Sequence, residues 1–474
     1  MATAAEQKSP PAALRNRWGG IVAAIVVLGI VLMLPEPDGL PAAGKRMGAI
    51  FLVALILWAT EAIPIAVTGL LTIVLQPLLR VAELSTAFTT FMSPVFFFVL
   101  AMFCLAEAFI RSGLHRRFSL WLLSRVGTES RRVILAFMVG TAAISTIMSD
   151  VPACAIFMGI ALGLFERRDI SPGSSFGKAM MIGIPIAALI GGIGTPAGSS
   201  INILGIHFIE QYGKVRVPFL HWMLIGVPMV LVLIPLAWRI LVAFYPPEME
   251  SMGNLDEIAK ERASLGKVTG AEKKVLTLLS GMLILWILST WHPQFDVVLV
   301  ALCGAVVMFL PGIHLLTWKQ LEQGTSWESL VLIGAVTSLG AASVSTGLAK
   351  WLVNASMHGI ANWNVIYIVA FISAFTVLLH LVVPIAPVVN AVLIPPIAIL
   401  ALEGGRNPAL YALPVAFTAS CAFLLPLDAV CLLTYSKGYY RMFDMLRPGI
   451  VISLGWVVLM TLLMVVLAPL LGIS

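Results

Sequence analysis

Two carboxylates stand in this chain where apolar sequence surrounds them on both sides. Asp150 sits two residues before Pro152 in the stretch 144–164, and Asp428 lies in the run FLLPLDAVCL. An ionisable group left unpaired inside a bilayer costs about 2.5 kcal/mol or more, so an acid kept there implies use of its charge. An acid can serve as an oxygen ligand for a cation. It can also bind and release a proton. His380, in TVLLHLVVPIAP, is a third titratable group at similar depth and a further candidate for proton coupling. The plain alternatives are an Asp that caps the half-helix after it and a His that bonds a nearby carbonyl.

The depth argument rests on composition. Of 474 residues, 60% are hydrophobic and 11% charged, and the mean hydropathy is +1.01. A water-soluble domain carries about 25% charged residues. Apolar runs at 21–34, 47–59, 223–244 and 450–473 have the length of bilayer-spanning helices, and the dyad alternation of a barrel is absent. The fold class expected is therefore all-α, a multi-pass membrane protein of about eleven transmembrane helices plus two re-entrant hairpins. The first apolar run has no small-residue cleavage site after it and is read as helix one. Cys104, Cys154, Cys303, Cys421 and Cys431 are odd in number and form no CxxC pair, which argues against a disulfide framework or structural zinc. The net charge of +6 suits membrane orientation better than nucleic acid. With the N-terminus in the cytoplasm of a cell bounded by its inner (plasma) membrane, most Lys and Arg fall inside, including the basic segment GLHRRFSLWLLSRVGTESRR and the linker 246–274.

Four helix breaks at membrane depth must position the acids: 148–152, 191–200, 383–387 and 426–429. Such breaks persist only where protein or a water-filled cavity satisfies the freed backbone. They recur in order at an offset of 232 to 236 residues, alongside Gly113 matching Gly347, which indicates two copies of one unit. An odd number of crossings between the copies makes the second inverted, as in many secondary transporters. The expected organisation is a cytoplasmic segment 1–20, scaffold helices 21–92, and a first repeat 93–245 with a hairpin near 133–166 and a broken helix near 178–210. A cytoplasmic linker, 246–274, precedes the second half, 275–474, with a hairpin near 365–401 and a broken helix near 406–434. Half-helix N-termini at the breaks suit a substrate carboxylate and freed carbonyls suit a cation.

WATEAIPIAVTGLL, SGLHRRFSLWLL, IGGIGTPAGSSINI, LTWKQLE, SCAFLLP and GYYRMFDMLRPGI carry a resemblance that runs over nearly the whole chain. It resembles the divalent anion/sodium symporters, which carry dicarboxylates, citrate or sulfate. The resemblance implies a homodimer in which hairpins and broken helices form a mobile transport domain that works as an elevator. It also implies a Ser-Asn-Thr triplet at each hairpin tip. Here the first tip reads Ser149, Asp150, Val151 and the second Ile385, Ala386, Pro387. A sodium site is then expected at Ser145, Ser149, Asp150 and the carbonyl region of Gly194. The expected substrate contacts are Ser149, Asp150, Thr195, Pro196, Ala386, Pro387 and Asp428. The second site lacks side-chain oxygens at its tip.

The function expected is secondary active transport of a small organic anion, dicarboxylates foremost, coupled to sodium or protons. The partners expected are that anion and membrane lipid, with no nucleic acid and no cofactor apart from Na+ as coupling ion. A sulfonate, sulfate, monocarboxylate or non-anionic solute is the alternative, with proton coupling or uncoupled exchange. A membrane-embedded enzyme is the alternative of another class, but HExxH, GxSxG, His-rich and P-loop patterns are all missing.

Overall fold

The computed structural model describes residues 11–251, 260, 262–356 and 363–473, and every regular element of these residues is a helix. Residues 1–10 of the expected N-terminal segment, and 252–259 and 261 of the expected linker, lie outside the described residues. An α-helix satisfies its own backbone without water, which is why apolar runs of this length take that form. Among the described residues, eight helical stretches are long and apolar enough to cross a membrane, and five shorter apolar helices accompany them. Helix α1, Pro11–Met33, begins ten residues before the apolar run at Ile21, so Arg15 and Arg17 are helical rather than part of a separate segment. Proline is well tolerated at that first helical position.

The chain divides into two compact units. The first comprises Met1–Ser93 and Trp327–His358. It holds α1, α2 (Ala42–Thr60), α3 (Ile65–Leu78) and α4 (Leu84–Phe91) together with α15 (Trp327–Ser345) and α16 (Leu348–Ser356). Small residues let these helices approach: Gly69 faces Ala335, and Gly334 faces the ring of Phe91. Buried polar groups close on one another where α3, α4 and α15 meet. Gln76 Nε2 donates to Ser338 Oγ (3.0 Å), and Ser338 Oγ donates to the Ala87 carbonyl (3.1 Å).

The second unit comprises Pro94–Ser326 and Gly359–Ser474. Its helices α5 (Pro94–Ser112) and α6 (Leu114–Val126) lead into a first hairpin, α7 (Ser130–Met148) and α8 (Asp150–Arg167). A broken helix follows, α9 (Ser175–Gly192) and α10 (Ser200–Gly213), and then α11 (Phe219–Phe244). After α12 (Gly270–Leu288), α13 (Val297–Phe309) and α14 (Trp318–Gly324) comes a second hairpin, α17 (Val365–Leu379) and α18 (Ala386–Glu403). The second broken helix is α19 (Pro408–Thr418) and α20 (Ala429–Tyr435), and α21 (Met442–Leu470) closes the unit.

The hairpins and broken helices pack crosswise. The first hairpin lies on α9, its neighbour in sequence, and through α8 on α20 of the other broken helix. The second lies on α19 and through α18 on α10. Helices α11 and α21 pack together and repeat a further detail. Gly226 of α11 abuts the Ile193 carbonyl, and Gly449 of α21 abuts the Phe423 carbonyl; a Cβ at either glycine would sit 2.3 or 2.0 Å from that oxygen. Each of these helices also sends a tryptophan to a break, Trp222 Nε1 to the Ile193 carbonyl (2.8 Å) and Trp456 Nε1 to Thr418 Oγ1 (3.2 Å).

Candidate functional site

Ser149 is the only residue between α7 and α8, and its φ of 131° places a residue with a Cβ where glycine is favoured. Backbone strain of this kind is retained where surrounding structure fixes it, commonly at binding sites. Pro152, in the first turn of α8, has no N–H to leave unpaired, so the hairpin can reverse direction within one residue.

That reversal delivers Asp150 into a polar centre. Asp150 is 6% exposed. Its Oδ1 accepts from Ser149 Oγ (3.1 Å) and from the Val151 N–H (3.0 Å), and its Oδ2 accepts from Ser199 Oγ (3.2 Å). Ser199 comes from the first broken helix, where it occupies the N-cap of α10. Three donors thus converge on one buried carboxylate, the arrangement that lets a charge persist away from water. Nothing in the run GGIGTPAGSS distinguishes Ser199 as a partner of Asp150 except its place just ahead of a renewed helix, where Ser is a preferred cap. Sequence reading passed it over.

The rest of the first break is organised by side chains that take up its freed carbonyls. Thr146 Oγ1 donates to the Gly191 carbonyl (2.9 Å), Asn202 Nδ2 to those of Gly192 (2.8 Å) and Thr195 (2.9 Å), and Trp222 to that of Ile193. Thr195 Oγ1 in turn donates to the Thr146 carbonyl (2.7 Å) and ties the break to the hairpin. No such donor reaches the Gly194 carbonyl among the described residues. Ser145 Oγ donates to the Ala188 carbonyl (2.6 Å) and keeps its oxygen lone pairs; it stands beside Gly192, where a Cβ would be 3.4 Å away. Pro196 opens a single 3-10 turn, Pro196–Gly198, that leads to Ser199.

Asp428 is the N-cap of α20, accepting from the Val430 N–H (2.9 Å), and is 7% exposed. Helix α8 packs on α20, with Cys154 Sγ donating to the Val430 carbonyl (3.5 Å), so Asp150 and Asp428 stand at the N-terminal ends of two helices that lie against each other. His380 flanks the same region. Its Nε2 bonds the Ala419 carbonyl (2.8 Å), which as an acceptor assigns the proton to Nε2. A narrow crevice is lined by His380, Asp428 and, from the second hairpin, Pro384. Ala386 and Pro387 begin α18 and contribute backbone and apolar surface only. Asn390, one turn further along α18, was also missed: its Nδ2 donates to the Ile201 carbonyl (2.9 Å) and fastens the second hairpin to α10.

No group of three His, Cys, Asp or Glu side chains gathers among the described residues. What gathers at Asp150 is its carboxylate with the hydroxyls of Ser149 and Ser199, oxygen groups of the kind that suit a hard ion.

The family model for the sodium:sulfate symporter transmembrane region matches residues 15–473. The chain belongs to this family. It is similar to a membrane protein of Cupriavidus necator, 28% identical over 448 residues that cover 89% of this chain and 87% of that one. It is also similar to the sodium-dependent dicarboxylate transporter SdcS of Staphylococcus saprophyticus, 29% identical over 476 residues, 95% of this chain and 91% of that one. The crystal structure of the Alcanivorax borkumensis YdaH transporter shares the fold with a TM-score of 0.52 at 16% identity, covering 91% of this chain and 99% of that one. The family is one of transporters, so the membrane-enzyme alternative falls away.

Proposed function

We propose that this sodium:sulfate symporter family member is a secondary active carrier of small dicarboxylates, coupled to sodium or protons. The observation that carries the reading is the convergence of hairpin tip and helix break on Asp150, held by Ser149 and Ser199, on a helix packed against the one that Asp428 caps. Ser145, Ser149, Asp150 and the Gly194 carbonyl form the candidate cation site. Thr195, Pro196, Ala386, Pro387 and Asp428 border the candidate substrate site. The name of the SdcS relative supports both the ion and the substrate class.

In this reading α7–α10 and α17–α20 are inverted counterparts that move together as the carrier part of an elevator, within a homodimer. Their crosswise packing, and the matched approaches of Gly226 and Gly449 to a break, support it. The N-terminus is cytoplasmic, in the plasma membrane, with about eleven crossings and two re-entrant hairpins.

One observation favours a second reading. The tip at Ile385, Ala386 and Pro387 brings no side-chain donor to an anion, while Asp150 and Asp428 bring negative charge. A monocarboxylate, a sulfonate or an uncharged solute suits such a centre while both acids stay ionised. Uptake into liposomes holding purified protein decides between them, with sodium and pH gradients imposed separately across mono- and dicarboxylates, sulfate and sulfonates. Sodium- or proton-driven succinate uptake is expected. Accumulation of none of the dicarboxylates under either gradient would refute the first reading.

A further inference from the structure

Helix α6 joins two apolar helices without crossing a bilayer itself. Its thirteen residues reach about 20 Å, short of a hydrocarbon core of about 30 Å, so the end of α5 and the start of α7 share one side and α6 lies along it. Trp238, near the end of α11, donates its Nε1 to the Arg131 carbonyl (2.9 Å) in the first turn of α7. Trp121 of α6 is itself 41% exposed. Tryptophans favour the level of the lipid headgroups, and a basic helix with an aromatic face lies in that plane.

A groove of about 780 Å³ separates α6 from the chain that approaches α12. Leu114, Phe118 and Trp121 give it apolar surface, and Arg117, Arg262 and Lys267 give it cations. No Asp or Glu lines it among the described residues. Arg117 builds the wall and has its charge met: it pairs with Glu272 (2.7 Å) and donates to the carbonyls of Leu265 (3.2 Å), Gly266 (3.0 Å) and Lys267 (3.2 Å). Arg262 Nη1 donates to Ser124 Oγ (2.9 Å), a neutral partner, and Lys267 is exposed. The Arg125 guanidinium lies 6.0 Å from the centre of the Trp121 ring and adds a further cation at the rim. The sequence around the groove is one-sided as well. Over residues 114–132 and 252–274 together, ten Lys or Arg stand against five Asp or Glu, and of these acids Glu129 pairs with Arg132 and Glu272 with Arg117. Positive charge alone would only orient the chain in the membrane. Cations and exposed aromatic rings in one groove match a molecule that is anionic at one end and apolar at the other.

We propose that this groove binds an anionic phospholipid, its phosphate held by Arg262 and Lys267 and the start of its acyl chains against Phe118 and Trp121. The lipid thereby ties α6 to the approach to α12 from the membrane side. The site does not depend on which solute the protein carries.

The test is lipid titration of the detergent-purified full chain, read by native mass spectrometry. The probes are dioleoyl phosphatidylglycerol, its zwitterionic phosphatidylcholine counterpart, and free glycerol phosphate as competitor. Wild-type protein is expected to bind its first phosphatidylglycerol about tenfold or more tightly than phosphatidylcholine. Arg262→Gln with Lys267→Gln should weaken that binding about thirtyfold, about fivefold for each cation. Arg262→Lys with Lys267→Arg should keep it, because both variants retain the charge. Lys319→Gln with Lys437→Gln removes the same charge from two exposed positions outside the groove and should bind as wild type does. Wild-type protein without preference for phosphatidylglycerol overturns the proposal. So does an equal loss in the Lys319 and Lys437 variant, which would mean that net charge alone attracts the lipid. Displacement of the lipid by an equal concentration of glycerol phosphate overturns it too, since a soluble anion would then be the ligand. Should the double variant not fold, Lys267→Gln alone, at an exposed position, is expected to lose about fivefold, and wild-type affinity in it overturns the proposal.

Discussion

Ser199 Oγ donates to Asp150 Oδ2 across 3.2 Å, joining the start of a half-helix to the tip of the neighbouring hairpin. Through this bond the break and the hairpin share one charge. Its other oxygen is already held by Ser149 and the Val151 N–H, so Asp150 is fixed at both ends. In the second half the acid sits instead on the half-helix cap, at Asp428, and the hairpin tip has Ala386. Each half contributes one carboxylate, from transposed positions.

Asp150→Asn keeps an acceptor for Ser149 and the Val151 N–H but removes the charge. The variant is expected to fold, because an amide can meet the same partners, and to lose the wild-type dependence on the driving ion. Uptake under separate sodium and pH gradients checks this; unaltered ion dependence at normal rates would remove Asp150 from coupling.

Asp428 has two separable roles, cap and charge. Asn caps a helix about as well as Asp, whereas Ala forfeits about 1 kcal/mol. Asp428→Asn should therefore match wild type in thermal stability and differ in uptake, while Asp428→Ala should lose both. If Asp428→Asn transports as wild type does, the acid is a cap and nothing more.

The order of hairpins and breaks is legible in the residue pattern because Pro, Gly and Asp inside apolar runs interrupt helices for local, steric reasons. Helix α7 ends at Met148, just ahead of Asp150–Pro152, and α9 ends at Gly192, inside GGIGTP. Asn390 and Ser199 were not legible, since each matters only through a partner far away in sequence. Asn390 reaches the Ile201 carbonyl across 189 positions, and no local pattern announces such a bond. The start of α1 at Pro11 was likewise missed, because apolar periodicity marks where a helix is buried rather than where it begins.

Gly226 and Gly449 are expected to resist enlargement. A Cβ on Gly226 would meet the Ile193 carbonyl that Trp222 already holds, and one on Gly449 would press on the Phe423 carbonyl. Both contacts are with backbone, which a rotamer change cannot relieve. Gly226→Ala and Gly449→Ala should each cost about 1–3 kcal/mol, read as a lowered melting temperature in detergent. Unchanged melting in either variant would show that α11 or α21 can withdraw from its break.

Away from the helix breaks, Arg117 binds the Glu272 carboxylate (2.7 Å) and the carbonyls of Leu265, Gly266 and Lys267, tying α6 to the approach to α12. The Arg117 guanidinium, with help from the Thr269 N–H, holds the Glu272 carboxyl below its usual range. A carboxyl whose folded pKa is depressed adds stability above its unfolded pKa, about 4.3, and that stability fades as pH falls through the lower folded value. Wild-type protein should therefore lose melting temperature more steeply than Glu272→Gln as pH falls below about 5, and the variant should start about 2 kcal/mol less stable at pH 7. Parallel pH profiles for the two proteins would exclude the pair as a contributor.

His380 offers the sharpest division between structure and coupling. Its described bond runs from Nε2 to the Ala419 carbonyl, and Nδ1 is buried without a partner among the described residues, in a crevice shared with Asp428. A glutamine can place its amide nitrogen near Nε2 and still donate to Ala419, but it cannot take up a proton near neutral pH. If His380 only supports the break, His380→Gln will transport with the wild-type response to a pH gradient, and His380→Leu will fail by leaving that carbonyl unpaired. The single contact and the missing partner on Nδ1 favour this outcome. A His380→Gln protein that is stable, binds substrate and no longer responds to the pH gradient would instead make His380 a proton carrier alongside Asp428.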